Sequence, residues 1–397
     1  MSGNYPAGKT PHGEDLAAVL QAALARELPD AVRLRRELHA SPELAGAEQQ
    51  TAATVSAALG EPGATAVAGT GRLVRIGPPD GPCVAVRGEL DALPVTEQTG
   101  VPWASRNGAM HACGHDVHLA ALAALGRAAR GVDLPAALLA VLQPREETAP
   151  LGAPDVAASA EFAAHQPAAV VGVHLQHQLP PGTISAVSGT VNAAADEFEI
   201  RVEGKGGHAG YPQLAVDPVP VLCQAVLAAQ HIVSRRTDPT HAAVVSVGVL
   251  QAGTAPNVIP GTAVARGSVR ALDEGIRAGM HKALRDIVEH TCLAHGCQGT
   301  VTIVEGEPAL VNDDALAAAG RPLLRAAGFT VDTSFRSCGA DDFAFYGLHR
   351  PALMMFAGVG GPVTLHHPGF LPGDDAVGQV ASAMLAGYLA ALSTLGF

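Results

Sequence analysis

The sequence predicts an α/β protein: a doubly wound, mostly parallel sheet interrupted by a smaller α+β insertion. Three observations predict it. Short, nearly continuous apolar runs bounded by turn residues, "CVAV" from Cys83, "AALLAVL" from Ala136, "AAVVGV" from Ala168 and "ALMMFAGV" from Ala352, suit strands buried on both faces of a sheet. Alanine-rich helical stretches lie between them, and strand alternating with helix implies parallel strands joined by crossovers. From about residue 188 to about residue 303 the order becomes strand, helix, two strands, helix, strand, which is that of a ferredoxin-like unit. At 397 residues the chain exceeds one ordinary domain. We therefore expect residues 1–187 and 304–397 to form one domain and residues 188–303 to be inserted into it.

The elements follow in order. Asp15 to Leu28 reads as a helix that Pro29 should end. A second helix should then carry "RLRRELHASPE", with Val32, Leu34 and Leu38 apolar among charges. His118 to Arg130 reads as a helix between the first two buried strands. Within the insertion, "DEFEIRVEG", "AAVVSVGVLQAG", "TAVARGSVRAL" and "GTVTIVEG" read as strands. The helical runs there are Val219 to Arg235 and a second ending near Leu293.

Composition removes several functions. The formal charge is −12 and the cations are scattered, so nucleic acid and anionic membrane are poor partners. The N-terminal "MSGNYPAGKTPHGED" lacks the apolar core of a signal peptide, and no uninterrupted apolar run approaches a membrane span. A cytoplasmic enzyme or binding protein is the expectation. Six cysteines in such a chain read as free thiols, with Cys83, Cys223 and Cys338 as small buried hydrophobes. Cys113 alone sits among polar partners.

Chemistry gathers where the buried runs end. "RGELDALP" with Glu89 and Asp91 follows the first, "QPREE" with Glu146 and Glu147 the second, His174 the third, and "GGPVTLHHPGF" with His366 and His367 the fourth. Open α/β sheets bind ligands beyond the carboxyl ends of their strands. "MHACGHDVH" adds Cys113 and His115, two residues apart, a spacing that turns both the same way on an extended segment. Thiolate, imidazole and carboxylate groups from five positions exceed one tetrahedral site and suit two adjacent transition ions. Such a pair can hold a hydroxide between them and polarise a carbonyl, which equips a hydrolase. Two rival readings stay open: a thiol enzyme with Cys113 as nucleophile and His115 or His118 as base, and a catalytically silent binding protein.

Taken together, "LRRELHASPELAGAE", "RGELDALPVTEQ", "GAMHACGHDVHLAAL", "QPREE", "GVHLQHQLPPGTI", "GKGGHAGYP", "APNVIP", "CGADDFAFY" and "LHHPGF" resemble the M20 metallopeptidase superfamily. The branch is that of N-acyl-amino-acid amidohydrolases, hippurate hydrolases and indoleacetyl-amino-acid hydrolases. The resemblance runs in order from about Leu34 to about Phe370. It implies that Cys113, His115, Glu147, His174 and His366 ligate two divalent ions (zinc, manganese, cobalt or nickel), with Glu146 as general base and acid. It implies an Asp91 carboxylate that orients His115 or another ligand. The inserted domain becomes a lid and homodimerisation surface, His208 a stabiliser of the tetrahedral oxyanion, and Asn257 a substrate contact. Arg270 could meet a substrate carboxylate. The chain departs from the family pattern in having Glu89 where aspartate is usual and His367 where a small residue is usual. The expected reaction is hydrolysis of an N-acyl amino acid to a carboxylate and a free amino acid.

Overall fold

Four uninterrupted apolar runs become four adjacent parallel strands, Ala137–Gln143, Cys83–Glu89, Pro167–Gln176 and Ala352–Gly358, at the centre of an eight-stranded sheet. Three of them are buried at every residue, and Pro167–Gln176 at all but one. Burial on both faces is why these segments carry no polar alternation. The computed structural model describes residues 13–61 and 63–396. Short strands at both edges, among them Gly71–Ile76, Thr183–Ser185 and Thr330–Asp332, extend the sheet, and antiparallel pairings make it mixed. These were too short to stand out in the sequence.

Helices Gly13–Ala40, His115–Ala129 and Asp375–Leu395 pack with this sheet into one apolar core. Asp375–Leu395 is long and apolar enough to cross a membrane, yet most of it is buried inside that core. The first helix corrects the sequence expectation, because Pro29 lies inside Gly13–Ala40 and does not end it. Leu20, Leu24, Ala31, Leu34 and Leu38 are buried at helical spacing on both sides of the proline. Their continuous packing outweighs the one backbone hydrogen bond that proline removes. The helix expected from His118 begins at His115, three residues earlier, which puts His115 in its first turn.

The chain divides into two units. The first holds the chain up to Gly189, Asn312–Phe335 and the chain from Tyr346 on; the second holds Thr190–Val311 and Arg336–Phe345. Residues 304–311 and 336–345, given from sequence to the larger domain, thus group with the smaller one. The segment around Ser337 does so through backbone bonds, Ser337 N–H to the Val191 carbonyl and Ala193 N–H to the Ser337 carbonyl, at 3.0 and 3.1 Å. In the second unit, strands Ala243–Ala252, Thr262–Ala271, Ala194–Glu203 and Gln298–Glu305 form an antiparallel sheet in that order. Helices Pro218–His231 and Glu274–Ala294 pack on it, giving the ferredoxin-like arrangement. All six cysteines are free. Cys83 is buried as expected, but Cys338 is half-buried, and Cys223 is exposed because the packed face of its helix is formed by Val221, Leu222, Ala225 and Ala229.

Candidate metal centre

The carboxyl ends of the central strands converge within the first unit. His174 lies near the end of Pro167–Gln176, Asp91 follows Cys83–Glu89, and Glu146 and Glu147 follow Ala137–Gln143. Cys113 precedes the helix that opens at His115, with Gly114 between them in the left-handed region at φ 88°. A side chain at Gly114 would sit 2.6 Å from Leu175 Cδ1, so only glycine lets this turn close. His366 also has a positive φ, 66°, and its N–H donates to the Ala112 carbonyl at 2.9 Å, which holds the two loops together.

The Cys113 sulfur is 3.4 Å from His174 Nε2 and 3.3 Å from His366 Nε2. His366 Nε2 is 3.5 Å from a Glu147 carboxylate oxygen. His115 Nε2 faces both acids, at 3.8 Å from Glu146 Oε2 and 3.9 Å from Glu147 Oε1. The structure thus brings Cys113, His115, Glu147, His174, His366 and Glu146 together. Both paired histidines are exposed, but only His366 approaches Cys113 and Glu147; the His367 Nδ1 accepts the Gly369 N–H at 3.0 Å.

Hydrogen bonding fixes how the imidazoles present themselves. His115 Nδ1 lies 2.8 Å from the Asp91 carbonyl and His174 Nδ1 2.7 Å from the Leu175 carbonyl. A carbonyl only accepts, so each Nδ1 carries the proton and each Nε2 turns a lone pair toward the cluster. His115 Nε2 is buried with no hydrogen-bond partner. A buried acceptor facing two carboxylates is costly unless a cation completes it, and this donor set suits a transition metal. Burial pushes the His115 imidazole down to about 3, which keeps it neutral as a ligand must be. Burial, with Glu147 and Glu146 beside it, pushes the Cys113 thiol well above its ordinary range. That disfavours a free thiol nucleophile. A neighbouring cation reverses the sign of the effect and favours the thiolate.

Asp91 holds two of the candidate ligands. Its carbonyl accepts a hydrogen bond from His115 Nδ1–H, while its carboxylate accepts the Glu147 N–H at 2.9 Å and stands 3.8 Å from His115 Nδ1. Sequence reasoning did not see how His118 and Glu89 support the site. His118 Nδ1 bonds to Glu89 at 3.0 Å and its Nε2 accepts the Leu175 N–H at 3.0 Å, so both ring nitrogens are occupied beneath His174. His118 is therefore not placed as a base for Cys113. The residues assigned from the insertion lie in the second unit. There His208 pairs with Val258, next to Asn257, whose carbonyl accepts the Ala209 N–H at 3.1 Å. Arg270 donates to the Cys338 carbonyl at 2.9 Å.

The family profile described as Peptidase family M20/M25/M40 matches residues 85–391. The chain belongs to that family. It is 34% identical over 392 residues to the N-acetyl-L-cysteine deacetylase of Bacillus subtilis, covering 95% of this chain and 92% of the relative. It is 33% identical over 371 residues to the N-acetyldiaminopimelate deacetylase of the same organism, covering 91% and 98%. A solved structure of a dinuclear metal-binding peptidase of the M20 family from Bacillus subtilis superposes with a TM-score of 0.80 at 31% identity, covering 94% of this chain and 100% of that one. The chain is accordingly a metal-binding amidohydrolase.

Proposed function

We propose that the chain hydrolyses the amide bond of N-acyl amino acids at a pair of divalent cations held by Cys113, His115, Glu147, His174 and His366. The observation that carries this reading is the convergence of two Nε2 lone pairs, a buried thiol and two carboxylates at the ends of the central strands. Zinc, manganese, cobalt and nickel all suit such donors. Bound there, the cations would supply polarisation of the scissile carbonyl and acidification of water. Glu146, to which the family resemblance gives the role of general base, takes a proton from the attacking water and returns it to the leaving nitrogen. Asp91 keeps His115 and Glu147 aimed while the charge moves.

His208 and Asn257, neighbours on paired segments of the second unit, are our proposed contacts to the oxyanion and the substrate, and Arg270 to the substrate carboxylate. We assign the second unit the role of lid and homodimerisation surface. Its edge strand Ala243–Ala252 supports this, with one unpaired flank and exposed Val249 and Leu250. Six free cysteines support a cytoplasmic location, where thiols stay reduced.

A panel of N-acyl amino acids, assayed with metal content measured on the same preparation, tests the reaction. Glu146→Gln should retain its metal and lose about 10²–10⁴ in kcat. Full turnover by that variant overturns the assignment of Glu146.

A further inference from the structure

The motif "LRRELHASPE" has no part in the chemistry described so far, yet two of its side chains are among the most deeply buried polar groups of the chain. Arg35, fully buried, donates from Nε to Asp116 Oδ2 at 3.0 Å and from Nη1 to Asp374 at 2.9 Å. His39, also buried, places Nδ1 3.0 Å from the same Asp116 oxygen and Nε2 3.1 Å from Glu97. A guanidinium and an imidazole thus face two buried carboxylates, Asp116 and Glu97, with Asp374 at the rim. Burial works against charge on His39, but the Asp116 and Glu97 carboxylates at its two ring nitrogens together push the imidazole above its ordinary value. Trp103 closes the node, its ring 4.9 Å from the His39 ring and 5.2 Å from the Arg35 guanidinium.

Each partner sits on a segment that reaches the metal centre. Asp116 follows His115 directly and is three residues from Cys113. Glu97 precedes Gln98, whose N–H donates to the Pro368 carbonyl two residues after His366. Asp374 lies between that loop and the helix Asp375–Leu395.

We propose that Arg35 and His39 are positioning residues of the metal centre, gripping Asp116 and its neighbours so that the Cys113–His115 turn and the His366 loop are held at ligand spacing. This rests on the reading in which Cys113, His115 and His366 bind metal. Arginine suits the task because its planar fork reaches two carboxylates at fixed separation, which lysine cannot do.

The test uses full-length protein loaded with cobalt(II), whose thiolate charge-transfer absorption reports the Cys113 bond. Arg35→Lys and His39→Gln should bind cobalt about 10–100-fold more weakly and, once saturated, show an altered thiolate absorption. Arg127→Lys is the control for helix packing. Arg127 joins the same two helices through Glu27 at 2.7 Å but does not touch Asp116. Its variant should keep the wild-type spectrum. If Arg35→Lys and His39→Gln do not fold, Asp374→Asn, at the solvent-exposed rim of the node, reads the Arg35 arm and should show a smaller shift in the same direction. Wild-type cobalt affinity and spectrum in the node variants overturn the proposal, as does an Arg127→Lys change equal to theirs. Cys113→Ser separates the two readings: an unchanged thiolate absorption in that variant overturns the ligand assignment itself.

Discussion

Replacing Gly114 by alanine probes the turn on which the candidate centre depends. The residue sits at φ 88°, where an L side chain costs about 1–2 kcal/mol. The new Cβ would also lie 2.6 Å from Leu175 Cδ1, well inside contact distance, and overpacking of a filled core costs about 1–3 kcal/mol. Together the two effects predict a loss of about 2–5 kcal/mol in the stability of the first unit. Leu175 cannot retreat freely, since its side chain is fully buried in the core and its backbone is held by His118 and His174. The strain therefore passes to the turn, and metal affinity should fall with stability. Urea unfolding and metal titration of Gly114→Ala, alone and combined with Leu175→Ala, separate the contributions. Trimming Leu175 removes the clash but leaves the backbone strain, so the alanine should then cost only about 1–2 kcal/mol. An equal penalty in both backgrounds would refute the steric part. Wild-type stability and affinity in Gly114→Ala would refute the whole argument.

The remaining predictions concern the ligands and the second unit. His366→Ala should lose metal on dialysis whereas His367→Ala should retain it, measured by elemental analysis, because only His366 approaches Cys113 and Glu147. Dialysis against a chelator should abolish hydrolysis and restored divalent cation should recover it; activity that survives with no metal present would favour a thiol mechanism. Asp196→Asn should destabilise the second unit by about 3–5 kcal/mol, since it strips a buried carboxylate from Arg277 and His281. Against the opposing effect of burial, Arg277, the Gly306 N–H and His281 hold the Asp196 carboxyl below its ordinary range. Its contribution is thus complete above about pH 4 and is lost as pH falls through the depressed value. Acid unfolding of the wild type should show that steep loss, and Asp196→Asn should flatten it.

The parts of the fold legible in the sequence are those where a single physical demand acts on a contiguous segment. A strand buried on both faces must be apolar throughout, so the runs at Val84, Leu138, Val170 and Met354 announced themselves. Pro29 misled because a local rule was weighed without the packing that overrides it: five buried residues spaced along one helical face continue past the proline. The short edge strands carry too few residues for any period to emerge. The helix start at His115 was obscured because its N-cap is a left-handed glycine with no side chain to signal a cap.

The site divides along the same line. Cys113 and His115 lie close together in sequence, and the acids and histidines at strand ends follow from topology, so composition and strand order sufficed to nominate them. Which atoms they present did not follow. The His115 and His174 tautomers are set by backbone carbonyls of Asp91 and Leu175, and backbone oxygens leave no trace in residue identity. The Arg35–Asp116 contact spans 81 residues and His39–Asp116 spans 77, so nothing local marks them as partners. A cluster of charged residues among the apolar positions Leu34 and Leu38 was still a clue. Burying Arg35 and His39 costs several kcal/mol per charge unless each meets a carboxylate, so a buried charged motif demands partners elsewhere in the chain. Here the partners belong to the segments that carry the candidate ligands. In the proposal the candidate ligands and the groups that hold them are thus tied through Asp116, one residue beyond His115, and a change at either end should be read at the other.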